Sequence, residues 1–157
     1  MSDLTRRHEV AKDEETLASI IVETAFEIHT ELGPGLLESV YDIVFAELLR
    51  ERGLIVDRQV DVPVHFRGKT FPVGFRADLI VEQKVCIELK SVEAFAPAHA
   101  KQLLTYLRLL DYRLGLLINF GAPLLKNGIK RVANRLNSAK YPLRALAASR
   151  DPNSSHE

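Results

Sequence analysis

The chain has 157 residues, enough for one domain around one core, and its 46% apolar and 27% charged residues are the ordinary balance of a globular protein. No apolar run approaches the roughly 20 residues of a membrane helix, MSDLTRRHEV carries no apolar signal core, and a single cysteine, Cys86, excludes an internal disulfide, so a cytoplasmic location is expected. The formal net charge is zero, but residues 1–98 carry 11 Lys/Arg against 18 Asp/Glu and residues 99–150 carry ten against one.

In chain order, residues 1–13 are polar, mixed in charge and read as a flexible N-terminus. A helix is predicted over about residues 14–32, where Leu17, Ile20, Ile21, Ala25, Ile28 and Leu32 recur on one stripe. Gly33-Pro34-Gly35 ends it, because proline cannot continue the hydrogen bonding and glycine permits a tight turn. A second helix is predicted over about 36–52, with Leu37, Val40, Tyr41, Val44, Leu48 and Leu49 toward the core and Gly53 as C-cap.

Residues 54–66 alternate as a strand, with Pro63 marking an edge or an irregularity. Residues 67–69 read as a turn, and strands are predicted over 70–81 and 85–91. Pro97 opens a helix to about residue 110, with Leu103, Leu104, Leu107 and Leu110 inward. Residues 114–119 read as a buried strand, and 128–136 fit either a helix or an edge strand. Residues 147–157 read as a disordered tail, which leaves 14–146 as a single domain. The order of elements predicts an α/β architecture with a mixed central sheet flanked by helices.

The densest chemistry lies in FRADLIVEQKVCIELK, residues 75–90. Glu88 and Lys90 are two apart, so a strand projects both from one face. If Glu82-Gln83-Lys84 form a three-residue hairpin loop, Val81 pairs with Val85 and Asp78 stands opposite Glu88. Two carboxylates and a lysine gathered this way can hold a divalent metal beside a phosphate. The same pattern also describes a solvated sheet face.

The stretch HTELGPGLLESVY, with Gly35, Glu38 and Tyr41, resembles the signature of the GxxExxY protein family, which is assigned to the PD-(D/E)xK nuclease superfamily. The similarity continues through Asp78, Glu88-x-Lys90, Gln102-x-x-x-Tyr106 and LLINFGAPLLKNGIKR, covering roughly residues 17–135. It implies an αβββαβ core and a site where Glu38, Asp78, Glu88, Lys90, Gln102 and Tyr106 meet. It also implies Mg²⁺ or Mn²⁺ as cofactor, held by Asp78, Glu88 and the backbone carbonyl of Leu89, with Glu38 acting directly or through water. Lys90 would position the attacking water or stabilise charge on the phosphate. His29 is a weaker candidate ligand.

The implied function is a metal-dependent nuclease hydrolysing phosphodiester bonds in nucleic acid, with DNA the expected substrate. Lys126, Lys130, Arg131 and Arg135, from the cationic stretch, are the candidate contacts to its backbone. Two alternatives stay open: a non-catalytic nucleic-acid-binding or protein-interaction module that retains the fold, and a hydrolase of small phosphates. A chain this short is also a candidate for a second copy or a protein partner.

Overall fold

The computed structural model describes residues 11–135. Most of the expected N-terminal segment, the tail after residue 146 and the stretch between Arg135 and that tail lie outside the described residues. Two helices come first, α1 (Glu14–Leu32) and α2 (Glu38–Glu51). The Asp13 side chain caps α1 by accepting the Thr16 N–H at 2.8 Å, and Glu14 and Glu15 occupy its first turn, where the helix dipole favours negative charge.

Strands β1 (Val56–Asp61), β2 (Val64–Phe66), β3 (Lys69–Phe71), β4 (Arg76–Val81) and β5 (Val85–Lys90) follow, then α3 (Pro97–Leu110), β6 (Leu114–Asn119), a 3₁₀ turn (Leu125–Asn127) and β7 (Ile129–Ala133). Five strands form the central sheet in the order β1-β4-β5-β6-β7. β5 and β6 run parallel, joined by the α3 crossover, and the other neighbours are antiparallel. β2 and β3 form a separate hairpin.

The central strands are buried on both faces, while the edge strands β1 and β7 are largely exposed. Leu17, Ile21, Ile28, Tyr41, Phe45 and Leu49 of α1 and α2 pack on Leu79, Val81, Ile87 and Leu116. Leu103, Tyr106 and Leu107 of α3 pack on Ala77, Ile80, Cys86 and Leu117. α3 lies so close to β6 that a Cβ on Gly115 would stand 2.9 Å from a Leu103 methyl. This is the mixed α/β architecture expected, and residues 128–136 resolve as an edge strand over their first part. Among the described residues, no helix is long and apolar enough to cross a membrane.

Three expectations are corrected. The single strands expected over 54–66 and 70–81 are each divided. Pro63 has no N–H to continue the ladder, so after the Val62 N–H bonds to the Phe75 carbonyl at 2.8 Å the chain leaves the main sheet as the β2–β3 hairpin. Leu37 is 75% and Val40 38% exposed. Leu37 precedes the first helical turn, and the buried stripe of α2 instead runs through Tyr41, Phe45, Ala46 and Leu49. Leu32, at the last position of α1, is likewise exposed.

Candidate active site

The β4–β5 hairpin turns as expected. Val81 pairs with Val85 across Glu82-Gln83-Lys84, and the Lys84 N–H bonds to the Val81 carbonyl at 3.0 Å. Glu82 and Gln83 both hold φ of +52° without a glycine. The backbone pairing runs from Val81↔Val85 to Leu79↔Ile87 and there it stops.

Beyond that point two carboxylates replace the ladder. Glu88 Oε1 accepts the Asp78 N–H at 3.0 Å, and Asp78 Oδ2 accepts the Leu89 N–H at 2.8 Å. The acidic pair predicted from spacing therefore meets, but by interlocking between two strands rather than standing side by side on a flat sheet. Strand alternation slips here too, since Ala77 and Ile80 both pack on the α3 side while Leu79 and Val81 pack on the other. Asp78 lines a cleft of about 390 Å³ with Glu38, Ser39 and Asp42 of α2, Arg58 and Gln59 of β1, and Leu89.

Glu88 is only 4% exposed. Burial first, and the adjacent Asp78 charge second, push its carboxyl up to about 8. Burial also raises Asp78, against the lowering effects of the Leu89 N–H, Glu88 and Lys90. The pair as a whole is thus held toward a protonated state by burial and mutual repulsion. Lys90 is half-buried, and its charge acts on both carboxylates. Its carbonyl accepts the Phe120 N–H at 2.8 Å, but among the described residues no hydrogen bond or ion pair is formed by its ammonium.

Glu38 begins α2, and its Oε1 accepts the Ser91 N–H at 3.4 Å, next to Lys90. Ser91 Oγ donates to the Leu36 carbonyl at 2.6 Å, so the turn before α2 is tied to the end of β5. Tyr41 holds that turn from below. Its hydroxyl donates to the Gly33 carbonyl at 2.6 Å and accepts the Leu36 N–H at 3.1 Å, while its ring stacks on Phe120 at 4.3 Å. Gly33 and Gly35 supply positive φ. The Gly-x-x-Glu-x-x-Tyr spacing is thereby explained: the tyrosine fixes the turn that places the glutamate. Glu38 is exposed on the rim between this cleft and a neighbouring one of about 780 Å³ bounded by Leu37, Val92 and Gly121.

Two structural polar residues escaped the sequence reading. Asp42, one turn after Glu38, is buried, accepting from Arg58 Nη2 at 2.9 Å and from Gln59 Nε2 at 2.9 Å. Gln59 holds φ of +51° within β1, opposite Asp78, and its amide also reaches Asp78 Oδ1 at 3.5 Å. Four-residue spacing from Glu38 on a helix was the available signal. Asn119 is the second. Its Oδ1 accepts the Val92 and Gly121 N–H groups, and its Nδ2 donates to the Val92 carbonyl, clamping the loop that follows Lys90.

Other expected site residues are placed differently. Tyr106 shares the buried stripe of Leu103 and Leu107, where burial first, and the charge of Glu88 second, raise its phenol. Gln102 is exposed, so the pair does not share one environment. His29 is committed elsewhere, its Nε2 donating to the Ala122 carbonyl at 2.8 Å.

Lys126, Lys130, Arg131 and Arg135 are all exposed. By register Lys130 lies level with Glu88, two strands away across Leu117, or roughly 10 Å. Lys126 precedes β7 at the same end of the sheet. Arg131 pairs with Glu15 of α1, and Arg135 follows β7 at the opposite end.

Among the described residues, no group of three or more His, Cys, Asp or Glu side chains is arranged to hold a metal ion. The donors at the site nevertheless suit Mg²⁺ or Mn²⁺, which bind through one or two carboxylates, a carbonyl, waters and phosphate oxygens. A buried carboxylate pair that retains a proton gains from a cation that replaces it. Nothing here resembles the nitrogen and sulfur set of a zinc centre.

A sequence model described as the PD-(D/E)XK nuclease superfamily matches residues 15–132. Among solved structures, the chain is similar to one titled "Crystal structure of SSO0001", at 17% identity and a TM-score of 0.49, covering 94% of this chain and 81% of that one. The sequence has no significant match among curated proteins.

Proposed function

The chain belongs to the PD-(D/E)XK nuclease superfamily, and on that footing we propose that it hydrolyses phosphodiester bonds in DNA with Mg²⁺ or Mn²⁺. The observation that carries this reading is the interlocked Asp78–Glu88 pair, set where the β4–β5 ladder stops and flanked by Lys90. A solvated sheet face would not bury Glu88 or draw a second carboxylate against it. The lone buried Cys86 is in keeping with a cytoplasmic setting.

Asp78, Glu88 and the Leu89 carbonyl would hold the cation, with Glu38 on its open side through water. When bound, the cation would polarise a phosphate and lower the pKa of the attacking water. Lys90 would offset negative charge developing on the phosphate. Asp42, through Gln59, holds the Asp78 side of the cleft, and Tyr106 shields Glu88 from solvent. Lys126 and Lys130 would track the nucleic-acid backbone, and the domain would comprise residues 14–146.

A non-catalytic binding module is the second reading, favoured by the absence of a three-carboxyl cage among the described residues. Incubation with labelled single-stranded, duplex and branched DNA and with RNA separates the two, using Mg²⁺, Mn²⁺ or EDTA and an Asp78→Ala variant. Metal-dependent cleavage lost in the variant supports the nuclease. Binding without cleavage under every condition supports the module.

A further inference from the structure

We propose that the β2–β3 hairpin is a stacking arm that holds single-stranded nucleic acid beside the cleft. This rests on the nucleic-acid reading of the site and adds a surface that the superfamily assignment does not supply.

The cross-strand pairs are Val64↔Phe71, His65↔Thr70 and Phe66↔Lys69. Opposite residues share a face, so Phe66, Phe71, Val64 and Lys69 lie together on one side. Phe66 is 47% and Phe71 42% exposed, and Val73, just beyond, is exposed as well. The Arg67 guanidinium lies over the Phe66 ring, 5.1 Å from its centroid. The hairpin, residues 64–71, contains Arg67 and Lys69 and no acidic residue, while at its base Arg76 is paired with Asp61. Solvent-exposed aromatic rings, one of them stacked with a guanidinium, with no anion in the hairpin match a single strand, whose bases stack and whose phosphates need countercharge.

The turn carries a second clue. Arg67 and Gly68 hold φ of +50° and +73°. A two-residue hairpin turn with both residues left-handed favours Asn or Asp at its first position. Arginine gains nothing there from the backbone, so its side chain is the reason for its presence.

The arm is rooted at the active site. Val62 is buried at its base, and Phe75 packs against Tyr106 with ring centroids 5.8 Å apart. Gly68 precedes Asp78 by ten residues, so the tip lies within roughly 35 Å of Asp78. A strand stacked on Phe66 and Phe71 would lead toward the cleft.

The test uses the full chain and the paired variant Phe66→Ala/Phe71→Ala, with Arg67→Ala/Lys69→Ala as a second variant. Both change exposed side chains, and far-ultraviolet circular dichroism checks their folding. Affinity for fluorescein-labelled oligothymidylate and for a blunt duplex is read by anisotropy in EDTA. Hydrolysis of bis(p-nitrophenyl) phosphate, too small to reach the arm, reports the catalytic site alone.

The expected result is a loss of single-strand affinity of about tenfold or more in the aromatic variant, a smaller loss on duplex, and unchanged hydrolysis of the small diester. Loss of oligothymidylate binding would uphold the arm even if the wild-type chain hydrolysed nothing, in which case the nuclease reading alone would fall. Unchanged single-strand affinity in the folded variants would overturn the arm. So would a dimer, seen by sedimentation, that the aromatic variant dissociates while single-strand affinity stays intact.

Discussion

Asp42 and Asp78 are joined through one side chain, the Gln59 amide, which donates to Asp42 Oδ2 at 2.9 Å and reaches Asp78 Oδ1 at 3.5 Å. The bridge requires Gln59 to adopt a left-handed backbone in the middle of an edge strand. Asp42 is itself held by Arg58. Asp42→Ala would free both donors, but Arg58 is partly exposed and water can solvate it. The expected loss of stability is therefore modest, about 1–2 kcal/mol, measured by urea denaturation. The larger effect is expected on cleavage of labelled DNA, because Asp78 loses its support.

The carboxylate pair makes stability depend on pH and on metal in opposite senses. Glu88 binds its proton more tightly in the folded chain, at about 8, than at the ordinary 4.5. Without metal, the folded state therefore holds more protons than the unfolded state across that window, and stability falls as pH rises through it. A divalent cation displaces that proton, so metal should raise the melting temperature more at pH 8 than at pH 6, with proton release detectable in buffers of different ionisation enthalpy. Glu88→Gln should flatten both dependences. A metal-induced shift independent of pH in the wild type would contradict the retention of a proton by the pair.

Tyr41→Phe keeps the ring stacked on Phe120 and removes only the hydroxyl. The Gly33 carbonyl and the Leu36 N–H then lose their partner. A melting experiment should show a loss of about 1–3 kcal/mol. Activity should fall further than stability accounts for, since the turn sets the start of α2 and hence Glu38.

The four cations proposed for backbone contact are not equivalent. Lys126 and Lys130 lie at the end of the sheet that carries the site, whereas Arg131 is paired with Glu15 and Arg135 lies at the other end. Lys126→Ala and Lys130→Ala should each weaken DNA binding and lower the salt slope by about one. Arg131→Ala and Arg135→Ala should leave that slope nearly unchanged. Anisotropy titrations across a salt series provide the measurement.

The parts of this protein legible in sequence are those fixed by local periodicity. The α1 stripe, the three-residue loop between Val81 and Val85, and the alternation of Cys86, Glu88 and Lys90 follow from helix and strand geometry, and they led to the acidic pair. What was not legible depends on where the ladder stops. No periodicity announces that pairing ends at Leu79↔Ile87 and that the carboxylates then interlock. Asp42 resembled any polar helix residue until Arg58 and Gln59 were brought against it from β1. Tyr106 and Gln102, four apart, point only about 40° from each other on the helix, yet the edge of the buried face falls between them, with Tyr106 buried beside Leu103 and Leu107 and Gln102 exposed.

The measurement that tests the central claim most directly is single-turnover cleavage of labelled DNA by the wild type and Lys90→Ala, in Mg²⁺ and in Mn²⁺, with affinity measured in parallel in EDTA. The account predicts metal-dependent cleavage by the wild type, a fall of about a hundredfold or more in the variant, and little change in affinity. Equal rates in the two proteins would contradict the role given to Lys90, and binding without cleavage in either metal would contradict the nuclease itself.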